Sequence, residues 1–225
     1  MAVDSKVYEK CAVVVGLNLV GGEENTPQWE HTFDVPYLDA EWDGISLSKR
    51  GLDRHFGRTR VARNYQVGKK WAKRHVRNER QVSIATLEDL KFIAEQSELT
   101  DLLSEREIDI GRFMSLALAV NVVISGTAKL NEQLGPGTKL FFGGEDTGAI
   151  LDISEAHLPC SKPANAIARS LNLAPEEIKD RFKEVARARR GFMASVYSPG
   201  RIALEDSIDV QLPIDHRTTR ADWRP

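Results

Sequence analysis

Cysteine is nearly absent: Cys11 and Cys160 are the only two in 225 residues. So few exclude a disulfide framework and lead us to expect a reducing cytoplasm and at least one free thiol. Also missing is any apolar stretch long enough to span a bilayer, so no membrane association is expected. The first ten residues carry Asp4, Lys6, Glu9 and Lys10, and the apolar run behind them, Cys11 to Val15, is too short for the hydrophobic part of a secretory signal. Internal repeats and low-complexity tracts do not occur. Neither a recognition-helix pattern, nor RNA-stacking aromatics, nor zinc-finger spacing is present, so nucleic acid is not an expected partner.

The composition itself, 41% hydrophobic and 28% charged, is that of an ordinary globular protein with material for a real core. A single domain over 1–225 is the simplest partition, with 213–225 as a charged C-terminal tail. Its Trp223 would suit docking on a second copy of the chain, so a homodimer is one reading of the tail. Formal net charge is only −2, but its distribution is uneven. Arg54, Arg58, Arg60, Arg63, Lys69, Lys70, Lys73, Arg74, Arg77 and Arg80 share a stretch whose sole acid is Glu79. That clustering predicts an anion site, because the local field concentrates phosphate or carboxylate; a solvated surface face is the plainer alternative.

Strand patterns dominate. Cys11 to Leu19 is a near-continuous apolar run, which places Cys11 in a core strand, and Gln81 to Ala85 and Ala119 to Ser125 are rich in β-branched residues. Lys139 to Phe142 and Ala149 to Ser154 flank a Gly/Asp-rich turn and predict a hairpin. Phe192 to Tyr197, Arg201 to Leu204 and Ile208 to Leu212 complete the set, and many short strands with frequent glycine turns favour a barrel. Three helices are predicted. Thr86 is the N-cap for Leu87 to Gln96, and Pro163 to Leu171 and Pro175 to Arg189 form a pair, each opening on proline.

Cys160 carries the most chemical information. It sits in Leu158-Pro159-Cys160-Ser161-Lys162-Pro163, where flanking prolines suggest a rigid turn at the end of the preceding strand. A thiolate is the nucleophilic and metal-binding form, and a nearby ammonium such as that of Lys162 favours it. Other patterns accompany it. Gly51 to Arg60 packs Asp53, Arg54, His55, Arg58 and Arg60 between glycines on a loop, Arg80-Gln81-Val82-Ser83 stands at the mouth of a strand, and Asn121 interrupts an apolar strand where a buried amide requires partners.

In this order the patterns resemble the MOSC domain, named for the C-terminal domain of molybdenum cofactor sulfurases. The matching residues are Asp53, His55 and Gly57; Arg80 to Ser83; Asn121 and Gly126; Gly137, Leu140 and Gly143; Pro159-Cys160; and Gly191, Ala194, Val196, Gly200 and Ile202. The resemblance runs over about 43–212. The resemblance implies a mainly β (α+β) fold, a MOSC-type closed β-barrel with a few peripheral helices. It also implies binding of molybdenum cofactor or a related sulfur or metal ligand. Cys160 would then be either a sulfur carrier, as a persulfide, or the metal ligand to molybdenum. His55 and Lys162 join Cys160 as candidate catalytic residues, with His55 donating a proton, orienting the ligand or serving only the structure.

Asp53, Arg54, Arg58, Arg60, Arg80, Ser83 and Asn121 are the candidate cofactor-binding residues, the arginines pairing with its phosphate. Asp53 serves more simply to fix an arginine. Pyridoxal phosphate, which family descriptions mention, belongs to a separate sulfurase domain that this length does not accommodate. Expected partners are the anionic cofactor and a sulfurase or molybdoenzyme. Reduction of N-hydroxylated compounds is an activity in keeping with the likeness. The contrasting reading is a non-catalytic anion-binding module that uses the basic stretch 54–80.

Overall fold

Along the first strand, β1 (Val7–Val20), Ala12, Val14 and Leu17 are buried, whereas Val13 and Val15 are exposed. Residues 12 to 15 alternate inward and outward as a pleated strand with period two requires, and a register shift between Val14 and Gly16 resets the alternation so that Leu17 is buried. In this computed structural model the described residues are 7–20, 32–34, 37–41, 44–46, 59–67, 70–77, 82–126, 132, 134–143, 148–187 and 189–213. Side chains are described at 12–18, at 38 and, from 82 onward, throughout those ranges. Cys11 lies in β1, and its side chain falls outside them.

Three short strands follow, β2 (Thr32–Asp34), β3 (Tyr37–Glu41) and β4 (Gly44–Ser46), and then a ribbon of β5 (Thr59–Val67) with β6 (Lys70–Arg77). β5 and β6 pair antiparallel, so much of the basic tract is a two-stranded hairpin. Next come β7 (Val82–Thr86), α1 (Leu87–Gln96), α2 (Thr100–Glu105), α3 (Ile110–Ala117) and β8 (Val122–Ser125). β9 (Lys139–Phe142) and β10 (Ile150–Ala156) precede the helical pair α4 (Ser161–Leu171) and α5 (Pro175–Ala186). The described chain ends with β11 (Phe192–Ser198), β12 (Gly200–Ala203) and β13 (Ser207–Gln211).

Among the described residues, seven strands run in the order β13-β9-β10-β11-β7-β8-β1 and close because β1 also pairs with β13. The β7–β8 pair is parallel and the other pairs of the ring are antiparallel, giving a closed mixed barrel. β2 extends β1, while β12, β3 and β4 make a separate small sheet. Closure removes the free edges on which open sheets aggregate.

Two apolar clusters hold this arrangement. Val14, Ile84, Ile124, Phe142, Leu151 and Ile208 are among those filling the barrel. Ala85, Val123, Leu90, Ile93, Met114, Ile167 and Phe182 belong to the layer between the barrel wall and the helices. Alternation explains why all of β7 is buried: Val82 and Ile84 point into the barrel, and Ala85 packs under the helices.

α1 has the predicted limits, and the Asp89 N–H donates to Thr86 Oγ1 at 3.0 Å. The predicted hairpin is β9 with β10. Other expectations need correction. α2 and α3 were not foreseen. α2 spans six residues after a Leu99 N-cap with no side-chain bond, and α3 contains Gly111, a poor helix former. The strand expected from Ala119 starts at Val122, because Ala119 turns out of α3 with φ +52°. α5 stops at Ala186, short of Arg189. The helix expected from Pro163 begins two residues earlier, at Ser161, so Ser161 and Lys162, read as part of a rigid turn, belong to the first turn of α4, where Pro163 is tolerated because its missing N–H would have had no helical acceptor.

Candidate functional site

The thiol stands where a barrel strand hands over to a helix. β10 ends at Ala156, the His157 N–H donates to Gly191 O at 2.8 Å, and the chain then turns so that Cys160 becomes the N-cap of α4. Cys160 has extended φ and ψ, −132° and 174°, and its side chain makes no capping bond. The residue is exposed and free of any disulfide. Pro163 occupies the third position of the helix and has no N–H, so one of the donors that an N-cap side chain ordinarily satisfies does not exist. The sulfur is thereby left to face outward.

A buried guanidinium meets it. Arg190 is only 5% exposed, and its Nη1 donates to Leu158 O at 2.7 Å and to Cys160 Sγ at 3.7 Å. One nitrogen therefore fixes the loop and contacts the sulfur together. Cys160 is also the residue on which α4 opens, and the first-turn N–H groups of that helix carry its partial positive charge. Arg189 points elsewhere: its Nη1 bonds Asp89 Oδ1 at 2.9 Å, and its guanidinium lies 3.8 Å from the centre of the Phe92 ring. Asp89 is fully buried in the first turn of α1, so this pair ties the segment bearing Arg190 to that helix.

Gly191 makes the placement feasible. It has φ +80°, and a Cβ there would collide with the Ile84 carbonyl oxygen of β7. β11 consequently packs tightly on β7 from its first residue, with Phe192 opposite Ile84.

The other predicted residues fall into three groups. Ser83 and Asn121 come together: Asn121 Oδ1 accepts from Ser83 N at 2.9 Å and from Ser83 Oγ at 2.8 Å, and Asn121 Nδ2 donates to Asn18 O at 3.2 Å. Both residues are buried, and this node locks β7, β8 and β1 in register. Lys162 is exposed in the first turn of α4; the cation bonded to the sulfur is Arg190, where the sequence had pointed to Lys162. Arg60 lies in β5 opposite Val76, with its side chain outside the described residues. Asp53, Arg54, His55, Arg58 and Arg80 also lie outside them.

Arg190 is the residue that sequence reasoning missed. The helix expected from Pro175 to Arg189 left Arg190 just past its end, with no role assigned to it. The usable signal was an arginine directly before a glycine and a strand, a place where a long side chain is held by a fixed backbone.

A sequence model of the MOSC domain matches residues 72–209. The chain belongs to the MOSC domain family. A search of curated proteins gave no match. The structure is similar to that of the YuaD protein from Bacillus subtilis, with 25% identity and a TM-score of 0.71 over 93% of this chain and 100% of that one. A hypothetical protein of known structure is similar over 91% of this chain and 69% of its own, with 14% identity and a TM-score of 0.53. MOSC domains are associated with the molybdenum cofactor and with sulfur binding. The MOSC barrel here offers, among the described residues, no cluster of three or more His, Cys, Asp or Glu able to hold a metal ion. Among those residues, too, no helix is long and apolar enough to cross a membrane.

Proposed function

We propose that this MOSC protein carries sulfur for molybdenum-cofactor chemistry as a persulfide on Cys160. The observation behind this reading is the exposed Sγ with the buried Arg190 guanidinium at 3.7 Å. The Cys160 thiolate attacks the outer sulfur of a donor persulfide, the donor S–S bond breaks, and the donor leaves as its thiolate. Cys160 keeps the transferred sulfur, with the negative charge on the terminal atom. Arg190 and the start of α4 offset that charge, and exposure lets donor and acceptor reach the sulfur in turn.

The same sulfur fits the cofactor. Were molybdenum cofactor bound, Cys160 would be the soft protein ligand to its metal. When bound, the cofactor would supply a two-electron redox centre, the chemistry needed to reduce an N-hydroxylated compound. Arg54, Arg58, Arg60 and Arg80 are the cations proposed for its phosphate, with His55 as proton donor and Asp53 fixing an arginine. Lys162, exposed in the first turn of α4, adds a positive charge beside the loop. Ser83 and Asn121 contribute by holding the barrel wall. Sulfur-donating and molybdenum-dependent enzymes are the proposed partners, in the cytoplasm.

Mass spectrometry of protein freshly isolated from a cofactor-producing host, with elemental analysis, tests the proposal. The expected result is one added sulfur atom on the Cys160 peptide, lost in Cys160→Ala. Molybdenum without the added sulfur, again lost in Cys160→Ala, would replace carriage by ligation. Neither sulfur nor molybdenum, with salt-sensitive anion binding unchanged in Cys160→Ala, would leave the anion-binding module of 54–80 as the function.

A further inference from the structure

Arg189 and Arg190 are adjacent, yet their guanidiniums part: Arg189 turns to α1 and Arg190 to the Cys160 loop. The segment that carries them runs from the end of α5 to the start of β11 and belongs to neither element. What fixes this segment therefore fixes where Arg190 reaches. Before Arg190, the Arg189 N–H donates to Ala186 O at 3.2 Å; after it, Gly191 is wedged on β7 and its carbonyl accepts the His157 N–H. The Arg189 side chain adds a third anchor, in the helical layer.

That anchor is a clamp of two parts. Asp89 and Phe92 stand three residues apart on α1 and so share one face of it. From its fully buried position Asp89 Oδ1 accepts from Arg189 Nη1 at 2.9 Å, and the Arg189 guanidinium lies 3.8 Å from the centre of the Phe92 ring. A carboxylate without access to water cannot release its cation without leaving a buried charge uncompensated, and a planar guanidinium gains from the ring only when it lies over the face. The two contacts together set both the place and the tilt of the Arg189 side chain.

We infer that Asp89, acting through Arg189, is a positioning residue for the sulfur site: it sets the backbone from which Arg190 reaches Leu158 O and Cys160 Sγ. The inference rests on Cys160 as the reacting group of the proposed function and extends that site to the first turn of α1. Charge and position predict opposite effects of Asp89→Asn. Removing the carboxylate leaves Arg189 unneutralised, and added positive charge near a thiol favours its reactive thiolate, so by charge alone alkylation would quicken. Loss of the clamp lets the segment shift and weakens the Arg190 contact, so by position alkylation slows.

The test is alkylation of the reduced chain by iodoacetamide at neutral pH, read by mass spectrometry on the Cys160 peptide so that Cys11 does not enter. Asp89→Asn is expected to slow the reaction about threefold. The double variant Asp89→Asn/Arg190→Gln should react within about 1.5-fold of Arg190→Gln alone, because both changes break one chain of contacts. Phe92→Leu keeps the ion pair and removes the ring, a milder change that serves if Asp89→Asn does not fold. It should slow alkylation about twofold and likewise add nothing to Arg190→Gln. A native or faster rate in Asp89→Asn, or in Phe92→Leu where only that variant folds, would overturn the inference. So would a double variant slowed by the product of the two single effects. Alkylation reads the thiol itself, so a failure of persulfide carriage would leave these outcomes intact, and failure here would leave carriage standing.

Discussion

At the scale of single residues, charge and amide partners decide most. Arg190 donates through one nitrogen to both Leu158 O and Cys160 Sγ, so its removal should alter the thiol and loosen the loop together. Arg190→Gln is expected to slow alkylation of Cys160 by iodoacetamide at neutral pH by about fivefold or more, whereas Lys162→Ala should change it by less than about twofold. Equal effects of the two variants would contradict the geometry. Asn121 is a stability residue by its contacts. Asn121→Ala leaves Ser83 N–H and Asn18 O without their partners in a buried place, at a cost of about 3 kcal/mol readable from urea denaturation. Cys160→Ala should fall within about 0.5 kcal/mol of the native protein in the same measurement, because the sulfur makes no capping bond. The functional tests at Cys160 are therefore free of a folding defect.

At the scale of elements, the tightest constraint is the start of β11. Gly191→Ala would place a methyl group against the Ile84 carbonyl and force a side chain into φ +80°. A loss of about 3 kcal/mol or more is expected, along with a thiol reactivity resembling that of Arg190→Gln, since the guanidinium is carried by the adjacent residue. A fully stable variant with native thiol reactivity would show that β11 can retreat from β7.

The same elements show what a sequence reveals. α1 was legible because its signals are local: Thr86 as cap, acids in the first turn and apolar residues at helical spacing. The β9–β10 hairpin was legible from its turn. α3 was obscured by Gly111, a poor helix former that here faces the Leu87 side chain across the α1–α3 contact, a tertiary setting invisible to local propensity. Cys160 could be singled out by its prolines, but its guanidinium partner lies 30 residues away and arrives only through the pairing of β10 with β11. Asn121 was recognised as a buried amide needing partners; those partners are Ser83 and Asn18, brought in by neighbouring strands.

At the scale of the whole molecule, closure of the barrel links its two ends in sequence. β1 pairs with β8 on one side and β13 on the other, so the last described strand completes a ring begun by the first. Ile208 of β13 is fully buried among the barrel side chains. Ile208→Ala should cost about 2–4 kcal/mol by leaving a cavity. More telling is where the loss is felt. In a closed ring no strand opens without freeing both neighbours, so amide exchange should accelerate together in β1, β9 and β13. The exposed helical turns already exchange through local fraying and should change less. Acceleration confined to β13 would mean that the seam between β13 and β1 opens alone. The sulfur site would be insulated from such opening, since β10, β11 and β7, which position Cys160 and Arg190, lie on the far side of β9 and β8 from that seam.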